Sequence, residues 1–573
     1  MKIKGSELFV KALKEEKVDT LFAYPGGMSI DLFDALYNDQ NLDIILPRHE
    51  QGLIHAADGY ARSTGKVGVC LVTSGPGATN LVTGIATANF DSVPLVCFTG
   101  QVMTSLIGND AFQEVDMVGI SRSICKYAVT VNKRQDLGEI IRKAFYIART
   151  GKPGPVVVDI PKDLQRELGS AVYPTEIHIR GYKPNTEVHV GQLKRAVGCL
   201  EKARKPIFLI GGGVNIASAN SEMTLLTEKT GVPVVTTIMG KGAISTDHAN
   251  YVGNIGMHGN YASNHAISEC DVLFSIGTRF NDRITGTVKT FAPNAVVIHV
   301  DIDPAAISRN IRVDIPIVAD AKVALAKMLE LTEKCDISGW IEEIDSWKRD
   351  YPLSMEQYSG MTPKTIIAKI NEIFKEAIIV TDVGQNQLWT TQYIELNSSR
   401  KLLTSGGLGT MGYGFPAAIG AKIGNPDKTV ICITGDGGMQ MNIQELATAV
   451  TLELPVIVCV LNNGYLGNVR QWQEMFYSRR YSCTCLRYRK SCAHNCGYTH
   501  EECPPYTPDF VKLAKSYGAL GIRVKSTEEI EEAFKSAKQN FTSPTIIEFI
   551  IEEEANVYPI VPGGYPLREM IMD

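Results

Sequence analysis

Short apolar runs alternate with segments of helical periodicity along most of the chain, and the clearest case lies near residue 440. Apolar runs at 430–434 and 455–461 enclose a stretch in which apolar residues recur at helical spacing, namely Ile443, Leu446, Ala447, Val450 and Leu454. β-Branched runs of this length are typical of parallel strands that are buried on both faces. We therefore predict a right-handed strand–helix–strand unit here.

The same alternation elsewhere predicts an α/β protein with three doubly wound parallel-sheet domains. Further runs that we read as strands lie at 20–23, 42–46, 67–73, 93–98, 156–160, 206–210, 232–237, 271–276, 296–301 and 377–380. They indicate an N-terminal domain at 1–170, a central domain at 190–332 and a C-terminal domain at 360–573. An irregular linker at 166–188 and a helical connector at 334–359 join them.

Composition narrows the classes of partner. The chain has 573 residues, of which 44% are hydrophobic and 21% charged, and this is ordinary for a globular protein. The net charge of −5 gives no reason to expect nucleic acid or an anionic membrane as a partner. No apolar run reaches the roughly 18 residues of a spanning helix, and residues 1–17 predict an amphipathic helix rather than a secretory signal. Most of the thirteen cysteines are scattered as reduced thiols would be, so we expect a cytoplasmic protein.

Asp436 and Asn463 are candidate metal ligands, because each follows one strand of the predicted unit. The carboxyl ends of neighbouring parallel strands share one edge of a sheet, where open α/β sheets bind ligands. Gly435, Gly437 and Gly438 would let a phosphate approach the backbone and the start of the next helix. Carboxylate, amide and phosphate oxygens form the coordination sphere that magnesium prefers. Each motif alone could also be an ordinary turn at a strand end.

Other candidates have an ordinary interpretation beside the functional one. Glu50 could be a first-turn helix carboxylate stabilised by the helix dipole. Lys162 could be a solvated lysine, Met411 a packing residue and Trp472 an aromatic core residue. The triplet Gly211, Gly212 and Gly213 follows a strand, which suits a dinucleotide but equally a tight turn.

Several motifs together resemble one family. Gly435-Asp436-Gly437, followed 27 residues after Asp436 by Asn463, resembles the thiamine diphosphate motif. The residues around it are similar to the catalytic subunit of the acetohydroxyacid synthases, also called acetolactate synthases, at Gln440, Asn442, Gln444, Glu445, Leu446, Leu466, Gly467, Val469, Gln471, Trp472 and Gln473. The resemblance spans nearly the whole chain.

The resemblance implies decarboxylation of pyruvate on thiamine diphosphate and ligation of the two-carbon unit to a second 2-ketoacid, either pyruvate or 2-ketobutyrate. This is the first common step of valine, leucine and isoleucine biosynthesis. Glu50 would hydrogen-bond N1′ of the aminopyrimidine, and Met411 would bend the cofactor. The resemblance further implies an acceptor pocket under Trp472, substrate contacts at Phe112 and Gln113, Lys162 in the active-site funnel, and a ligand at the turn of Gly27.

It also implies three cofactor sites. Thiamine diphosphate would contact Glu50, Val383, Gly384, Gln385, Asn386, Gly409, Met411, Gly435, Asp436, Gly437, Gly438, Asn463, Tyr465, Leu466 and Gly467. Mg²⁺ would be held by Asp436, Asn463 and the backbone carbonyl of Tyr465. FAD, with a largely structural role, would contact Lys152, Gly211, Gly212, Gly213, Met257, His258, Gly277, Arg279, Arg283, Asp301, Ile302, Asp320 and Ala321.

The chain departs from the family pattern at five positions. Met103 stands where proline is usual, Lys152 where arginine is usual, Asn281 where aspartate is usual, Asn386 where histidine is usual and Asn468 where methionine is usual. The changes at Lys152 and Asn281 affect the segments that resemble the FAD-binding segments of the family. The change at Asn468 lies inside the active-site pocket.

The resemblance implies a homodimer or a dimer of dimers, in which Glu50 meets the Asp436 site across the subunit interface. It also implies a separate small regulatory subunit and a C-terminal arm, formed by residues 557–564 and 567–570, that covers the active site. Alternatives are a flavin-dependent pyruvate oxidase or another carboligase of the same superfamily. A non-catalytic paralogue would be expected to lack Glu50, Asp436 or Asn463, and all three are present.

A basic insertion at 483–503 is longer than the family usually has in this place. It contains Cys483, Cys485, Cys492, Cys496 and Cys503, with His494 and His500. The spacing matches no standard zinc finger or ferredoxin motif. Zinc or an iron–sulfur cluster, disulfides and unligated thiols all remain open.

Overall fold

The fold is taken from a computed structural model that describes residues 2–37, 39, 41–185, 187–397, 400–493, 496 and 503–573. It contains three six-stranded sheets, and every strand pair within them is parallel. Helices cover both faces of each sheet, so the strands are apolar on both sides. The predicted fold class is confirmed.

The first sheet has the strand order β3-β2-β4-β5-β7-β6. The strands are β1 Lys2–Lys4, β2 Thr20–Ala23, β3 Asp43–Ile45, β4 Gly68–Val72, β5 Leu95–Gln101, β6 Tyr127–Thr130, β7 Val156–Pro161 and β8 Leu168–Ser170, of which β1 and β8 form a separate antiparallel pair. The helices are α1 Gly5–Glu15, α2 Ile30–Leu36, α3 Glu50–Thr64, α4 Pro76–Thr79, α5 Val82–Asp91, α6 Met117–Ser121, α7 Leu137–Arg149 and α8 Lys162–Arg166.

The second sheet has the order β11-β10-β9-β12-β13-β14. Its strands are β9 Pro206–Ile210, β10 Val234–Thr236, β11 Tyr251–Asn254, β12 Val272–Ile276, β13 Val296–Asp301 and β14 Ile315–Val318. The helices are α9 Val190–Leu200, α10 Gly212–Ile216, α11 Asn220–Thr230, α12 Tyr261–Glu269, α13 Asp282–Thr285, α14 Ala321–Leu331 and, in the connector, α15 Ser338–Asp350.

The third sheet has the order β16-β15-β17-β18-β20-β19. Its strands are β15 Ile378–Thr381, β16 Leu402–Leu403, β17 Val430–Gly435, β18 Val456–Asn462, β19 Leu520–Val524 and β20 Thr545–Ile550. The helices are α16 Pro363–Ile373, α17 Gln385–Tyr393, α18 Gly414–Gly424, α19 Asp436–Met441, α20 Glu445–Thr451, α21 Gly467–Phe476, α22 Phe510–Tyr517 and α23 Ile530–Gln539.

The predicted strand–helix–strand unit is present, with one difference. β17 and β18 are neighbours whose register pairs Gly435 with Leu461, so Asp436 and Asn463 emerge at the same edge. We predicted a single helix between the two strands, and the structure has two helices there, α19 and α20. The break coincides with Asn442, whose side-chain amide donates to the Gly412 carbonyl at 2.7 Å, a long-range contact that the helical pattern does not contain.

The first and third domains pack closely through α3 and α18. A Cβ at Gly59 would lie 2.0 Å from the Ala417 carbonyl oxygen, and a Cβ at Gly420 would lie 1.8 Å from that of Ala56. These distances are far inside van der Waals contact, so the two helix backbones approach this closely only because both positions are glycine. Among the residues that the structure describes, no helix is long and apolar enough to span a membrane.

Candidate functional site

One cavity, which we call the third-domain cavity, opens at the carboxyl ends of β15, β17 and β18. The empty space between its walls, including the part open to solvent, is about 460 Å³. It is lined by Val383, Gly384, Gln385, Asn386, Trp389, Met411, Gly435, Asp436, Gly437, Gly438, Leu461, Asn463, Tyr465, Leu466, Gly467, Asn468 and Val469. With the exceptions of Glu50 and Gly409, every residue predicted to contact thiamine diphosphate is in this set.

Asp436 lies at the start of α19 and is 1% exposed. Burial raises the pKa of its carboxyl group to about 7, against the lowering effect of nearby backbone N–H groups and the Tyr506 hydroxyl. Its Oδ2 atom is buried without a hydrogen-bond partner among the described residues. A buried carboxylate with a free oxygen is stabilised by a cation.

Asn463 and Tyr465 form a tight turn directly after β18. The Tyr465 N–H donates to Asn463 Oδ1 at 3.1 Å, and Gly464 between them has a φ of +73°. Asn463 Nδ2 donates to Gln385 Oε1 at 3.2 Å, which fixes the direction of the amide. Asn463, Tyr465 and Asp436 all line the same cavity, and amide, carbonyl and carboxylate oxygens are the ligands that hard divalent cations prefer.

The first part of the cysteine-rich insertion supports this turn. The Leu466 N–H donates to the Thr484 carbonyl at 2.9 Å, and the Leu486 N–H donates to the Gly464 carbonyl at 2.8 Å. Sequence reasoning did not find this pairing, because neither segment has the alternation of a strand.

The opposite wall is formed by the start of α17 and by Met411. Gly384 precedes α17 with a φ of +139°, which favours glycine. Gln385 and Asn386, the first residues of α17, line the cavity, and the first N–H groups of a helix suit an anion. Asn386 Nδ2 donates to the carbonyls of Asp382 and Ile433 at 2.9 and 3.1 Å. The terminal carbon of Met411 lies 3.7 Å from a Cβ built on Gly437. Gly409, with a φ of +75°, packs near Val383 outside the lining set.

The predicted residues of the first domain lie at the carboxyl edge of the first sheet. Glu50 is the first residue of α3 and accepts a hydrogen bond from Asn80 Nδ2 at 3.0 Å. Lys162 Nζ donates to the Gly27 carbonyl at 2.5 Å. Gln113, with a φ of +59°, packs on Gly75, and Phe112 is 81% exposed.

None of these first-domain residues is in the lining of the third-domain cavity of the same chain. The loop before Glu50 is instead fixed by Glu445, whose carboxylate accepts hydrogen bonds from the N–H groups of Arg48 and His49 at 3.0 and 3.1 Å. Glu445 is buried. Sequence reasoning used it only as part of a motif, and its partners lie almost 400 residues away.

A second cavity, which we call the central cavity, is lined by residues of all three domains. The empty space between its walls, including the part open to solvent, is about 1320 Å³. Of the residues predicted for FAD, it is lined by Lys152, Gly211, Gly212, Gly213, Gly277, Arg279, Arg283, Asp301, Ile302, Asp320 and Ala321. Phe90, Asp91, Met239 and Gly406 also line it and were not assigned to it from the sequence.

The glycine triplet has a packing role in addition to lining the central cavity. A Cβ at Gly213 would lie 2.7 Å from Gly277 Cα, so the loops after β9 and β12 touch backbone to backbone. The cavity also carries cations (Arg279, Arg283, Lys152) and carboxylates (Asp301, Asp320). This charge pattern suits a ligand with a pyrophosphate and ribose hydroxyls.

Met257 and His258, which were also predicted for FAD, are outside the lining of the central cavity. They contact the C-terminal arm: the Val561 N–H donates to the Met257 carbonyl at 2.8 Å, and a His258 ring nitrogen lies 3.2 Å from the Pro559 carbonyl. Burial lowers the pKa of His258 to about 4.

Trp472 lies on α21 beside the same arm. The guanidinium of Arg283 is 5.9 Å from the centroid of its ring, which is within cation–π range. The arm is tied to α21 by two bonds between Gln471 and Val557, of 2.9 and 3.0 Å. Arg283, which lines the central cavity, is thus in contact with α21, and α21 is bonded to the arm.

Among the described residues of the insertion, Cys483, Cys485 and Cys492 are not joined in disulfides. No group of three or more His, Cys, Asp or Glu side chains among the described residues is placed to hold a metal ion. His494 and His500, which belong to the same insertion, lie outside the described residues.

Three family models match the chain, and each match lies in one of the three domains. Residues 3–120 match the thiamine pyrophosphate enzyme N-terminal TPP binding domain, residues 193–328 the central domain and residues 382–549 the C-terminal TPP binding domain. Together with the three sheets, these matches define the class: the chain is a thiamine pyrophosphate enzyme.

Individual relatives define the family within that class. The chain is 46% identical over 582 residues to a probable acetolactate synthase large subunit of Methanococcus aeolicus, covering 98% of this chain and 94% of the relative. It is 45% identical over 578 residues to the acetolactate synthase large subunit of Buchnera aphidicola subsp. Schizaphis graminum, covering 99% and 98%. It is 42% identical over 581 residues to the acetolactate synthase isozyme 3 large subunit of Escherichia coli K12, covering 99% and 98%. The chain belongs to the family of acetolactate synthase large subunits.

Proposed function

We propose that the chain forms acetolactate from two molecules of pyruvate and acetohydroxybutyrate from pyruvate and 2-ketobutyrate, the first common step of branched-chain amino acid biosynthesis. The observation that carries this proposal is the third-domain cavity, in which Asp436, Asn463 and Tyr465 converge at one sheet edge. Near full-length similarity to acetolactate synthase large subunits supports the choice of reaction.

Asp436, Asn463 and the Tyr465 carbonyl are proposed to hold Mg²⁺. The buried Asp436 Oδ2 without a partner fits a cation, and all three groups offer oxygen. The N–H groups at the starts of α17 and α19 would hold a diphosphate. When bound, thiamine diphosphate supplies the electron sink that makes loss of CO₂ from a 2-ketoacid feasible.

Glu50 is proposed to hold a proton at N1′ of the aminopyrimidine. In a single chain it does not line the third-domain cavity, so this role requires the Glu50 of a second copy. A homodimer, or a dimer of dimers, would meet that requirement through closed symmetry. Met411 would orient the ring system, and the C-terminal arm with Trp472 would exclude water.

The central cavity is proposed to bind FAD. The cations and carboxylates of its wall fit the cofactor, and eleven of the thirteen predicted residues line it. Lys152 is held by Asp303 at 3.4 Å, and Asn281 has a buried Oδ1 without a hydrogen-bond partner among the described residues. The role proposed for the flavin is structural, because the ligation involves no net oxidation.

A separate small subunit is proposed as a partner, since the relatives are named large subunits. A cytoplasmic location is also proposed.

For the insertion, zinc or an iron–sulfur cluster, disulfides and free thiols remain competing proposals. Metal and sulfide analysis of anaerobically purified protein separates them.

The reaction is tested by following ¹³C-labelled pyruvate by NMR with thiamine diphosphate, Mg²⁺ and FAD while recording oxygen uptake. Acetolactate and CO₂ in equal amounts without oxygen uptake support the proposal. Acetate or acetyl phosphate with oxygen uptake would replace it by the oxidase alternative. Acetaldehyde alone would indicate a decarboxylase.

A further inference from the structure

Tyr506, three residues after the cysteine-rich insertion, contacts the proposed metal ligand Asp436 without lining the third-domain cavity. Its side chain is half-buried. The ring stacks on that of Phe510, with 5.7 Å between the two centroids, and Phe510 is buried at the start of α22. The ring of Tyr506 is therefore anchored to the core of the third domain.

The Tyr506 hydroxyl connects two residues of α19. Gln440 Nε2 donates to this hydroxyl at 2.6 Å and to the Asp436 carbonyl at 3.3 Å. Because the hydroxyl oxygen accepts from Gln440, its own hydrogen is left to donate. The acceptor is the Asp436 carboxylate: burial raises the pKa of this group, and the hydrogen bond from Tyr506 acts in the opposite direction by favouring the charged form.

This arrangement leaves one carboxylate oxygen available to a cation. Asp436 Oδ2 has no hydrogen-bond partner among the described residues, so the bond from Tyr506 does not occupy it. A hydrogen bond to a carboxylate fixes the orientation of the group and stabilises its charge. In metal sites, such outer partners of the ligands raise the affinity for the metal.

The insertion holds the segment that carries Tyr506. Arg489, in the middle of the insertion, donates from Nη2 to the Pro505 carbonyl at 3.1 Å and to the Thr507 hydroxyl at 3.0 Å. These two groups belong to the residues on either side of Tyr506. The other guanidinium nitrogen of Arg489, Nη1, donates to the Arg487 carbonyl at 3.0 Å. One arginine thus joins the insertion to both neighbours of Tyr506.

The insertion therefore supports the proposed metal site from two directions, since its first part also pairs with the turn after β18. We propose that Tyr506 is a positioning residue of the metal site, that Arg489 holds it in place, and that its hydrogen bond to Asp436 raises the affinity for the divalent cation. This inference rests on the proposed function and adds to it a role for the insertion, which the family resemblance does not explain.

Y506F removes the hydroxyl and keeps the ring, so it isolates the proposed hydrogen bond. Metal-free protein with saturating thiamine diphosphate and FAD is titrated with Mn²⁺, and free Mn²⁺ is measured by electron paramagnetic resonance. Mn²⁺ suits the same oxygen ligands as Mg²⁺. Y506F is expected to bind Mn²⁺ about 10-fold to 100-fold more weakly than the native chain, as for loss of an outer partner of a metal ligand.

A kinetic readout separates metal affinity from chemistry. The Mg²⁺ concentration that gives half-maximal acetolactate formation should rise in Y506F, whereas turnover at saturating Mg²⁺ should approach that of the native chain. A Mn²⁺ affinity equal to that of the native chain would overturn the inference. A loss of turnover that saturating Mg²⁺ does not restore would overturn it as well.

Y173F is the matched control. The Tyr173 hydroxyl also donates to a buried carboxylate, that of Glu16 at 2.8 Å, but it does so in the first domain. Y173F should lower the unfolding temperature through loss of a similar hydrogen bond and leave the Mn²⁺ affinity unchanged. Equal losses of Mn²⁺ affinity in Y173F and Y506F would overturn the inference, since general destabilisation would then account for both.

R489A tests the part played by the insertion. It should weaken Mn²⁺ binding in the same direction as Y506F. Because Arg489 is proposed to act through Tyr506, the double variant should bind Mn²⁺ no more weakly than Y506F alone. Additive losses would overturn the role of the insertion. If Y506F does not fold, R489A decides alone, and an unchanged Mn²⁺ affinity then overturns the inference.

D436N separates this inference from the proposed function. If D436N binds Mn²⁺ as tightly as the native chain, the proposed metal site fails. If D436N loses Mn²⁺ binding and Y506F does not, only the inference on Tyr506 fails.

Discussion

Among single residues, Glu50 has the clearest chemical consequence. E50Q keeps the size of the side chain and the hydrogen bond with Asn80 but cannot hold the proton. We expect turnover to fall about 100-fold or more, as for loss of a general acid–base group, while thiamine diphosphate binding stays measurable by fluorescence quenching. Unchanged turnover would show that Glu50 has the ordinary role of a first-turn helix carboxylate.

Lys241 gives a prediction of pH-dependent stability at the residue scale. It is buried, its Nζ donates to the Thr391 carbonyl at 2.5 Å, and burial lowers its pKa to about 7. Because the folded pKa is below that of the unfolded chain, the charge destabilises the fold. The resulting loss in the free energy of unfolding is largest below pH 7. It decreases as the pH rises from 7 to about 10.5 and is absent above that.

K241M should therefore be more stable than the native chain at neutral pH, by up to on the order of 4 kcal/mol less the lost hydrogen bond. The difference in the free energy of unfolding should shrink between pH 7 and 10, measured with urea. K229M is the control, because Lys229 is exposed and also donates to a backbone carbonyl, that of Leu329 at 2.9 Å. A difference that does not change with pH would contradict the argument.

At the scale of elements, the strands could be predicted better than the contacts between them. β17 and β18 lie within one residue of their predicted bounds, because both are continuous apolar runs. The edge strand β16 has only two residues, and β19 is mostly half-buried, so neither has a strong pattern. The pairing of Thr484 with Leu466 and the bonds of Glu445 arise between distant segments, which local periodicity does not report.

The junction of α3, α5 and the segment before α18 depends on a buried charge cluster. Arg62 is paired with Asp58 at 2.6 Å and with Asp91 at 2.9 Å. Asp91 also accepts hydrogen bonds from the N–H groups of Gly406 and Gly407 at 3.2 and 2.7 Å. The cluster therefore joins the first domain to the segment that leads from the central cavity to Met411.

D91A should lower the free energy of unfolding by about 3 kcal/mol, because it leaves a buried cation incompletely paired. FAD affinity should fall with it, since Asp91 lines the central cavity. E330A, which removes the exposed pair with Lys327, is the control and should cost below about 1 kcal/mol. Equal effects in the two variants would argue against a special role of the cluster.

At the scale of the whole molecule, the chemistry is expected to need two chains. In one chain, the predicted site residues of the first domain do not line the third-domain cavity. From the sequence, only the family resemblance indicated that Glu50 and Asp436 form one site across a subunit interface. Three-domain architecture was predictable because each domain repeats the same strand and helix periodicity. The relative position of the domains was not, because it depends on contacts such as Gly59 with Ala417.

Mixing two inactive variants tests this assembly. E50Q and D436N alter groups proposed to come from different subunits of each site, so a mixed dimer has one intact site of two. Random pairing should restore about a quarter of native activity, since half of the dimers are mixed. No recovery, in mixed dimers verified by mass spectrometry, would indicate that both groups act from the same chain.

Reconstitution of the cofactor-free protein tests the central claim most directly. The native chain and D436N are freed of metal and cofactor, and acetolactate formation from pyruvate is then measured as Mg²⁺ and thiamine diphosphate are added at saturating FAD. The native chain should recover acetolactate formation only with both additions, and D436N should remain more than about 100-fold slower at equal Mg²⁺, because the charged ligand is lost. Equal recovery in both proteins would contradict the placement of the metal and the diphosphate in the third-domain cavity.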